Sequence, residues 1–254
     1  MMSRPPGSDS LPAAVLFDLD GTLVDPAGGI TGGIAYALAG MGLPVPELPV
    51  LNSMVGPKLA ESLLNSTEAS PEQLPELIAR YRQWYHEHAL AMSRPYPGIP
   101  ELLAGLQAAG VPLAVATQKP QGAARAELDR HGLSRFFEVL SGADDDETLP
   151  APADQVPKAG IVAVAVQGLA DAGLLDPAPG AVGRVVMIGD REHDVLGARA
   201  NQLDCIGVGW GFGSPGELLR AGAVAVLEST AELAAELGAG DFVRTRQEAL
   251  DGAL

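Results

Sequence analysis

The sequence is poor in cysteine, in aromatic residues and in basic residues. Its single cysteine, Cys205, excludes an intramolecular disulfide and a thiolate-rich metal site. Because Cys205 lies in the apolar run DCIGVGW, we interpret it as a buried thiol rather than a nucleophile. Aromatic residues make up only 4% of the chain while hydrophobic residues make up 47%, so the core must consist mainly of aliphatic side chains.

Basic residues are half as numerous as acidic ones, with 16 Lys and Arg against 32 Asp and Glu and a formal net charge of −16. Phosphate backbones and anionic membranes bind clustered lysines and arginines, and the sequence contains no such cluster. The charge therefore argues against nucleic acid or a membrane as a partner. A small phosphorylated molecule can still bind, but binding then requires a metal ion, helix N-termini or one or two cations.

Long apolar runs are lacking as well. A membrane-spanning helix needs ~18 apolar residues, and the longest candidate, AGIVAVAVQGLADAGLL, is interrupted by Gln167 and Asp171. The N-terminal stretch MMSRPPGSDSLP has no apolar segment typical of a signal peptide. We therefore expect a cytoplasmic protein in which residues 1–12 and 241–254 form terminal tails, the first of them disordered.

Short apolar runs alternate with segments of helical spacing along most of the chain. The runs, which are typical of parallel strands buried on both faces, cover residues 13–19, 111–117, 136–142, 184–190, 205–210 and 223–227. Alternation of strand and helix predicts an α/β fold with a Rossmann-like, doubly wound parallel sheet. We assign residues 13–26 and 95–240 to this core.

Residues 27–94 break the alternation, since they contain helical patterns and no convincing strand; the longest pattern covers residues 71–92. An insert of about 70 residues is too long for a simple crossover loop. It predicts an α-helical cap domain over the carboxyl end of the sheet, where ligands bind in such folds. Residues 143–157 carry five acids and three prolines, which predicts a mobile surface loop.

Polar residues follow the predicted strands at positions that a parallel sheet brings to one edge. They are Asp18 and Asp20, Thr117 and Gln118, Lys158 at the start of a helix, and Asp190 and Asp194. Carboxylates gathered at one place need a divalent cation, and oxygen ligands with open positions suit Mg²⁺. Lys158 would add a compact positive charge for a substrate phosphate.

Asp18 and Asp20 suit phosphoryl transfer in two steps. One carboxylate can attack phosphorus to form an aspartyl-phosphate, while the other protonates the leaving oxygen and later activates water. Gly21 allows the chain to turn tightly after them. We expect Thr22 to donate a hydrogen bond to Asp20 and to orient it.

The stretches DLDGTLV, ATQK, PKAG and IGDREHDVLGA resemble, in order, the four motifs of the haloacid dehalogenase-like hydrolases. The helical insert resembles the cap of the phosphoglycolate phosphatase-like group. The resemblance implies that Asp18 is the nucleophile and a metal ligand. It further implies that Asp20 is the acid and base, with its carbonyl on the metal, and that Asp190 is a metal ligand supported by Asp194.

The same resemblance implies that the phosphoryl group is bound by Thr117, Gln118 and Lys158 and by the turn at Gly21. The family usually has Ser at the position of Gln118, which we expect to offer its backbone amide. Lys119 either reaches the crevice or lies in solvent. The histidines at 86, 88 and 131 are expected at the surface.

The expected activity is Mg²⁺-dependent hydrolysis of a small phosphomonoester, either phosphoglycolate-like or nucleotide-like, by a monomer or a homodimer. Two alternatives remain open at this point. A sugar-phosphate mutase of the same superfamily shares all four motifs, and a phosphate-binding protein without turnover would retain the site residues.

Overall fold

Six short apolar strands form one parallel sheet in this computed structural model, which describes residues 11–144, 157–175 and 184–240. The sheet strands are β1 (Ala14–Phe17), β4 (Leu113–Pro120), β5 (Val139–Ala143), β6 (Val185–Gly189), β7 (Asp204–Val208) and β8 (Ala225–Leu227). Two further strands, β2 (Val24–Asp25) and β3 (Arg94–Pro95), pair with each other in antiparallel fashion. Each predicted sheet strand is therefore present.

Strand β1 lies at the centre of the sheet, whose order is β5-β4-β1-β6-β7-β8. Its four residues, AVLF, are completely buried, because helices cover both faces of the sheet. The chain runs from β1 outward in both directions, which opens a crevice at the carboxyl end of β1. The α/β fold with a Rossmann-like parallel sheet is confirmed.

The core helices are α6 (Ile99–Ala108), α7 (Gln121–Arg130), α8 (Pro157–Asp171), α9 (Glu192–Ala200), α10 (Glu217–Ala221) and α11 (Thr230–Glu236). Helix α11 begins with the cap that its sequence STAE indicates, since the Ser229 side chain accepts a hydrogen bond from the Glu232 amide at 3.2 Å. None of the helices in the described ranges is both long and apolar enough to cross a membrane.

Helices between β2 and β3 form a unit that we call the cap. They are α1 (Gly29–Gly40), α2 (Leu48–Ser53), α3 (Leu59–Ser66), α4 (Leu74–Trp84) and α5 (Leu90–Met92). Their apolar faces pack into a hydrophobic cluster of their own, with Ile34, Leu38 and Leu77 among its most buried members. The β2–β3 pair carries the chain into and out of the cap, and helical patterning did not reveal it.

The predicted long helix over residues 71–92 is divided in the structure. A 3₁₀ turn at Pro71–Gln73 precedes α4, and a π-helical turn at Tyr85–Ala89 separates α4 from α5. Single π turns inside helices are frequent at functional sites. Residues 1–10 of the predicted tail at 1–12, the tail at 241–254 and most of the predicted acidic loop lie outside the described residues.

Candidate active site

Three neighbouring strands place acidic and hydroxyl side chains at one edge of the sheet. Asp18 directly follows β1, Asp190 directly follows β6, and Thr117 lies near the end of β4. The backbone N–H of Asp18 donates to the carbonyl of Ile188 at 2.9 Å, which ties the ends of β1 and β6 together. All three side chains are buried, as expected at the floor of a crevice.

Lys158 reaches this edge from the first turn of α8. Its Nζ lies 2.8 Å from Asp18 Oδ1 and also forms an ion pair with Asp194. Gly197 of α9 permits this approach, since a Cβ there would lie 3.0 Å from Lys158 Cβ. Burial alone would lower the pKa of Lys158. The nearby carboxylates of Asp18 and Asp194 outweigh burial, so the pKa is raised above its ordinary value and the side chain stays charged.

Asp18, Asp190 and Asp194 form a buried carboxylate cluster whose ligand oxygens all lie within 4.8 Å of one another. Burial, followed by Asp194 and Asp18, raises the pKa of Asp190 to about 8. Burial also raises the pKa of Asp194, to about 6, against the opposing effect of Lys158. One lysine cannot compensate three buried carboxylates, so this oxygen-rich cluster fits a hard divalent cation.

The carboxylate of Asp190 is held by two donors from different loops. Thr22 Oγ1 donates to Asp190 Oδ1 at 3.1 Å, and the Phe212 amide donates to Asp190 Oδ2 at 2.7 Å. The hydrogen bond expected from Thr22 to Asp20 is therefore replaced by one to Asp190. The physical reason is the turn after Asp20, which brings Thr22 beneath the end of β6.

Gly21 makes that turn possible. Its φ angle of 84° lies in the left-handed region, and a Cβ at this position would collide with the Asp190 carboxylate. Its amide donates to the Val24 carbonyl at 2.9 Å. The N–H of Gly21 is thus engaged within the turn, and the phosphate contact expected at Gly21 stays a prediction.

Asp20 is paired with Lys119, which reaches the crevice. Lys119 Nζ lies 2.9 Å and 3.0 Å from the two carboxylate oxygens of Asp20. Burial raises the pKa of Asp20 to about 7, with Lys119 as the main opposing influence. A carboxyl with this pKa can both donate and accept a proton near neutral pH. The two aspartates of DLDGT thus have different cationic partners.

The end of β4 is irregular, with a register shift between Ala116 and Pro120 opposite β5. Such irregularities redirect side chains at the ends of strands. The Thr117 hydroxyl accepts a hydrogen bond from the Lys119 amide at 3.2 Å. The Gln118 side chain does more than predicted, because its Nε2 donates to the carbonyl of Gly56 in the cap at 2.8 Å.

Arg191 provides a second tie between core and cap. Its Nη1 donates to the carbonyl of Ser53 at 3.2 Å and to that of Val55. Its Nε lies 2.9 Å from Glu217 Oε1, and Glu217 accepts further bonds from the Ser214 and Glu192 amides. Residues 53–56, the cap loop, are thus held over the site by two core side chains.

A cavity of about 350 Å³ lies between cap and core. Its floor includes Asp18, Asp20 and Thr117. Its other walls are largely apolar or aromatic and come from both units, including Ile30, Met54, Leu59, Tyr81, Tyr85 and Leu90. Arg82 and His86 also line it, and His86 is exposed as expected.

Sequence reasoning missed several supporting residues. They include Phe212, Trp210, Glu127 and Tyr85. Trp210 Nε1 donates to the Thr22 carbonyl at 3.1 Å, so the loop after β7 braces the turn that carries the aspartates. The glycine-rich run GVGWGFGSPG was the available signal for this loop, since glycines allow close approach to Asp190.

Comparisons with known proteins agree with this geometry. The family model described as haloacid dehalogenase-like hydrolase matches residues 15–159, and a second, HAD-hydrolase-like model matches residues 155–233. The tyrosine-protein kinase PtkA of Mycobacterium tuberculosis is 41% identical over 202 residues, which are 80% of this chain and 64% of PtkA. The chain thus spans less than two thirds of that relative's length.

Other relatives match over most of their own length. A 5'-nucleotidase of Pseudomonas aeruginosa is 38% identical over 80% of this chain and 86% of the relative. A phosphoglycolate phosphatase of Caulobacter vibrioides is 37% identical over 79% and 80%. The crystal structure of a predicted phosphatase from Clostridium acetobutylicum superposes with a TM-score of 0.75 at 35% identity, covering 88% of this chain and 97% of that one. The chain belongs to the haloacid dehalogenase-like hydrolase family and, as its motifs indicated, is similar to the phosphoglycolate phosphatase-like group within it.

Proposed function

We propose that this protein is a Mg²⁺-dependent phosphatase that hydrolyses a small phosphomonoester through an aspartyl-phosphate on Asp18. The observation that carries the proposal is the pairing of the two motif aspartates with different lysines. Lys158 lies beside Asp18 and the carboxylate cluster, whereas Lys119 lies beside Asp20. Two carboxyls in different environments can serve as nucleophile and as proton donor at the same pH.

In the first step the Asp18 carboxylate attacks phosphorus. The bond between Asp18 Oδ and phosphorus forms as the ester P–O bond breaks, and the Asp20 proton passes to the leaving oxygen. In the second step a water molecule attacks the same phosphorus and gives a proton to Asp20. The Asp18–phosphorus bond then breaks, inorganic phosphate leaves, and both aspartates return to their starting states.

The carboxylate cluster would hold the metal ion, with Asp18 and Asp190 as ligands and Asp194 in support. The carbonyl of Asp20 is proposed as a further ligand. Phosphatases of this family generally use a divalent metal, and hard oxygen ligands favour Mg²⁺. When bound, the ion would neutralise charge on the phosphoryl oxygens. Thr117, Gln118 and Lys158 would complete the phosphoryl site.

The cavity favours a nucleotide-like substrate over a phosphoglycolate-like one. Its volume of about 350 Å³ far exceeds what a two-carbon acid needs beyond the phosphoryl group. Met54, Tyr81 and Tyr85 offer apolar and aromatic surface, on which a base or sugar can pack. A small carboxylate would gain little from this surface.

The direct test is release of p-nitrophenolate from p-nitrophenyl phosphate in the presence of Mg²⁺. The wild-type protein should be active, and Asp18→Asn should be inactive. Asp171→Asn, at an exposed aspartate of α8, is the matched control and should retain activity. No release by the wild type, or equal release by Asp18→Asn, would overturn the proposal.

A substrate screen then decides the finer points. We expect 5'-AMP to have a higher kcat/KM than phosphoglycolate. A mutase would convert a sugar phosphate without releasing phosphate, and a binding protein would retain phosphate without turnover. Transfer from ATP to a protein tyrosine, the activity that the name of PtkA denotes, would appear as label stable on tyrosine.

A further inference from the structure

A second buried charge cluster lies beside the carboxylate cluster of Asp18, Asp190 and Asp194 and shares no side chain with it. Lys119 Nζ binds both oxygens of Asp20 and also pairs with Glu127 Oε2 at 2.5 Å. Glu127 lies in α7 and is 0% exposed. A single ammonium group thus joins the carboxylate after β1 to a carboxylate inside a core helix.

Burial of Glu127 demands an explanation. The other buried residues of α7, Ala124 and Leu128, are apolar, so a buried charge at position 127 is an exception within this helix. A buried ion pair is often no more stable than well-packed apolar residues of similar volume. The charge at this position is therefore better explained by the position it gives to Lys119 than by stability.

The cap contributes a fourth member. Tyr85 Oη donates to Glu127 Oε2 at 3.2 Å, and Lys119 Nζ lies 4.9 Å from the centre of the Tyr85 ring. Tyr85 opens the π-helical turn that divides the predicted long helix. The turn therefore directs a cap hydroxyl onto the carboxylate that holds Lys119.

We infer that Glu127 is a positioning residue that acts through Lys119 on Asp20, and that Tyr85 fixes Glu127 from the cap. This inference rests on the proposed function. Glu127 sits on a rigid helix and anchors Nζ from one side. The Lys119 ammonium group, held in this way, then orients the Asp20 carboxyl toward the leaving oxygen of the substrate. Without Glu127, Lys119 can rotate away and Asp20 loses its fixed orientation.

The substrates that test this differ in their need for an acid but hardly in size. Phenolate, with a conjugate-acid pKa of about 10 like tyrosine, is a much poorer leaving group than p-nitrophenolate. Phenyl phosphate therefore requires protonation by Asp20, whereas p-nitrophenyl phosphate largely does not. The value of kcat/KM is measured for each substrate, because kcat/KM reports the first chemical step alone. The quantity compared between variants is the substrate ratio, which is kcat/KM for p-nitrophenyl phosphate divided by kcat/KM for phenyl phosphate.

Glu127→Gln should lower kcat/KM for phenyl phosphate at least tenfold more than for p-nitrophenyl phosphate, since general acid catalysis contributes about 10²–10⁴. Tyr85→Phe, which removes one hydroxyl and keeps the ring, should lower kcat/KM for phenyl phosphate about threefold more than for p-nitrophenyl phosphate. Glu87→Gln, at an exposed residue of the same π-helical turn, is the matched control and should leave the ratio unchanged.

An equal loss with both substrates would overturn the inference, because a purely structural role weakens every step alike. If Glu127→Gln does not fold, as judged by circular dichroism, an unchanged ratio in Tyr85→Phe overturns it. Failure of the wild-type protein to hydrolyse either substrate would instead overturn the proposed function, so the two failures are distinguishable.

Discussion

Lys158 Nζ lies 2.8 Å from Asp18 Oδ1 while also pairing with Asp194, so one ammonium group serves two carboxylates, one directly after β1 and one in the first turn of α9. It is the only cation bound to either carboxylate in the described part of the chain. This arrangement keeps the proposed nucleophile close to a positive charge before substrate arrives.

Replacing Lys158 should lower kcat strongly. Lys158→Met leaves the carboxylate cluster without its own cation, and loss of one electrostatic contact to the transition state typically costs about 10²–10³ in kcat. In metal-free buffer the free energy of unfolding of the variant should also be about 3 kcal/mol lower than that of the wild type, because the buried carboxylates have lost their charged partner. Urea unfolding and p-nitrophenyl phosphate turnover test both effects.

Lys158→Arg is the control for charge alone. The broader guanidinium cannot occupy the compact space beside Gly197. Activity within threefold of the wild type in either variant would contradict the proposed role of Lys158.

Thr22 should tune metal binding although it is not a ligand itself. Its hydroxyl orients the Asp190 carboxylate at 3.1 Å, and groups that orient metal ligands are worth about 10–100-fold in affinity. Thr22→Val should therefore raise the Mg²⁺ concentration for half-maximal activity about tenfold. Thr31→Val, which removes a hydroxyl bonded to the Gly28 carbonyl in the cap, should not change it.

Gln118 should affect substrate binding more than chemistry. Its side-chain amide holds the cap loop at Gly56, and this loop lines the cavity. Gln118→Ala should raise KM several-fold with a smaller change in kcat, because the cap loop would be less well fixed over the substrate. A fall in kcat at constant KM would indicate instead that Gln118 contacts the transition state.

Glu217 should make stability depend on pH in the acid range. Burial raises the pKa of Glu217, but hydrogen bonds from Arg191 and from backbone amides outweigh it and lower the pKa to about 2. Its folded pKa lies below the unfolded value, so its contribution is present above about pH 4.5 and is lost as the pH falls toward 2. Urea unfolding at about pH 5.5 and pH 3 measures the loss.

Glu217→Gln cannot make this contribution, so its stability should fall less than that of the wild type between the two pH values. Parallel losses in the two proteins would mean that the Arg191–Glu217 pair contributes no net stability.

The sequence was sufficient to predict the sheet and the residues at its edge. Continuous apolar runs such as AVLF and VVMIG are characteristic of buried parallel strands. Once the strands are placed, Asp18, Thr117 and Asp190 must converge, because parallel strands end at one edge. Lys158 followed because it begins a helix after the acidic segment and is the lysine that matches the third motif of the family.

The supporting contacts could not be predicted in the same way. Glu127 lies in AARAELDR, a pattern that indicates a polar and exposed helix turn. Its burial depends on the ion pair with Lys119 and the hydrogen bond from Tyr85, which the sequence does not reveal. The partner of Thr22 depends on how closely Gly21 approaches Asp190, which spacing alone does not reveal. The hydrogen bonds from Gln118 and Arg191 to the cap loop depend on how the cap packs against the core, which the sequence does not reveal.

The most direct test of the central claim is to trap the phosphorylated enzyme and locate the phosphate. Asp20 is proposed to activate water in the second step, so Asp20→Asn should accumulate the covalent intermediate when mixed with p-nitrophenyl phosphate and Mg²⁺. After rapid quenching and digestion, mass spectrometry should find one added phosphoryl group on the peptide containing Asp18. Phosphate on any other residue, or a stoichiometric burst of p-nitrophenolate with no phosphorylated peptide, would contradict the account.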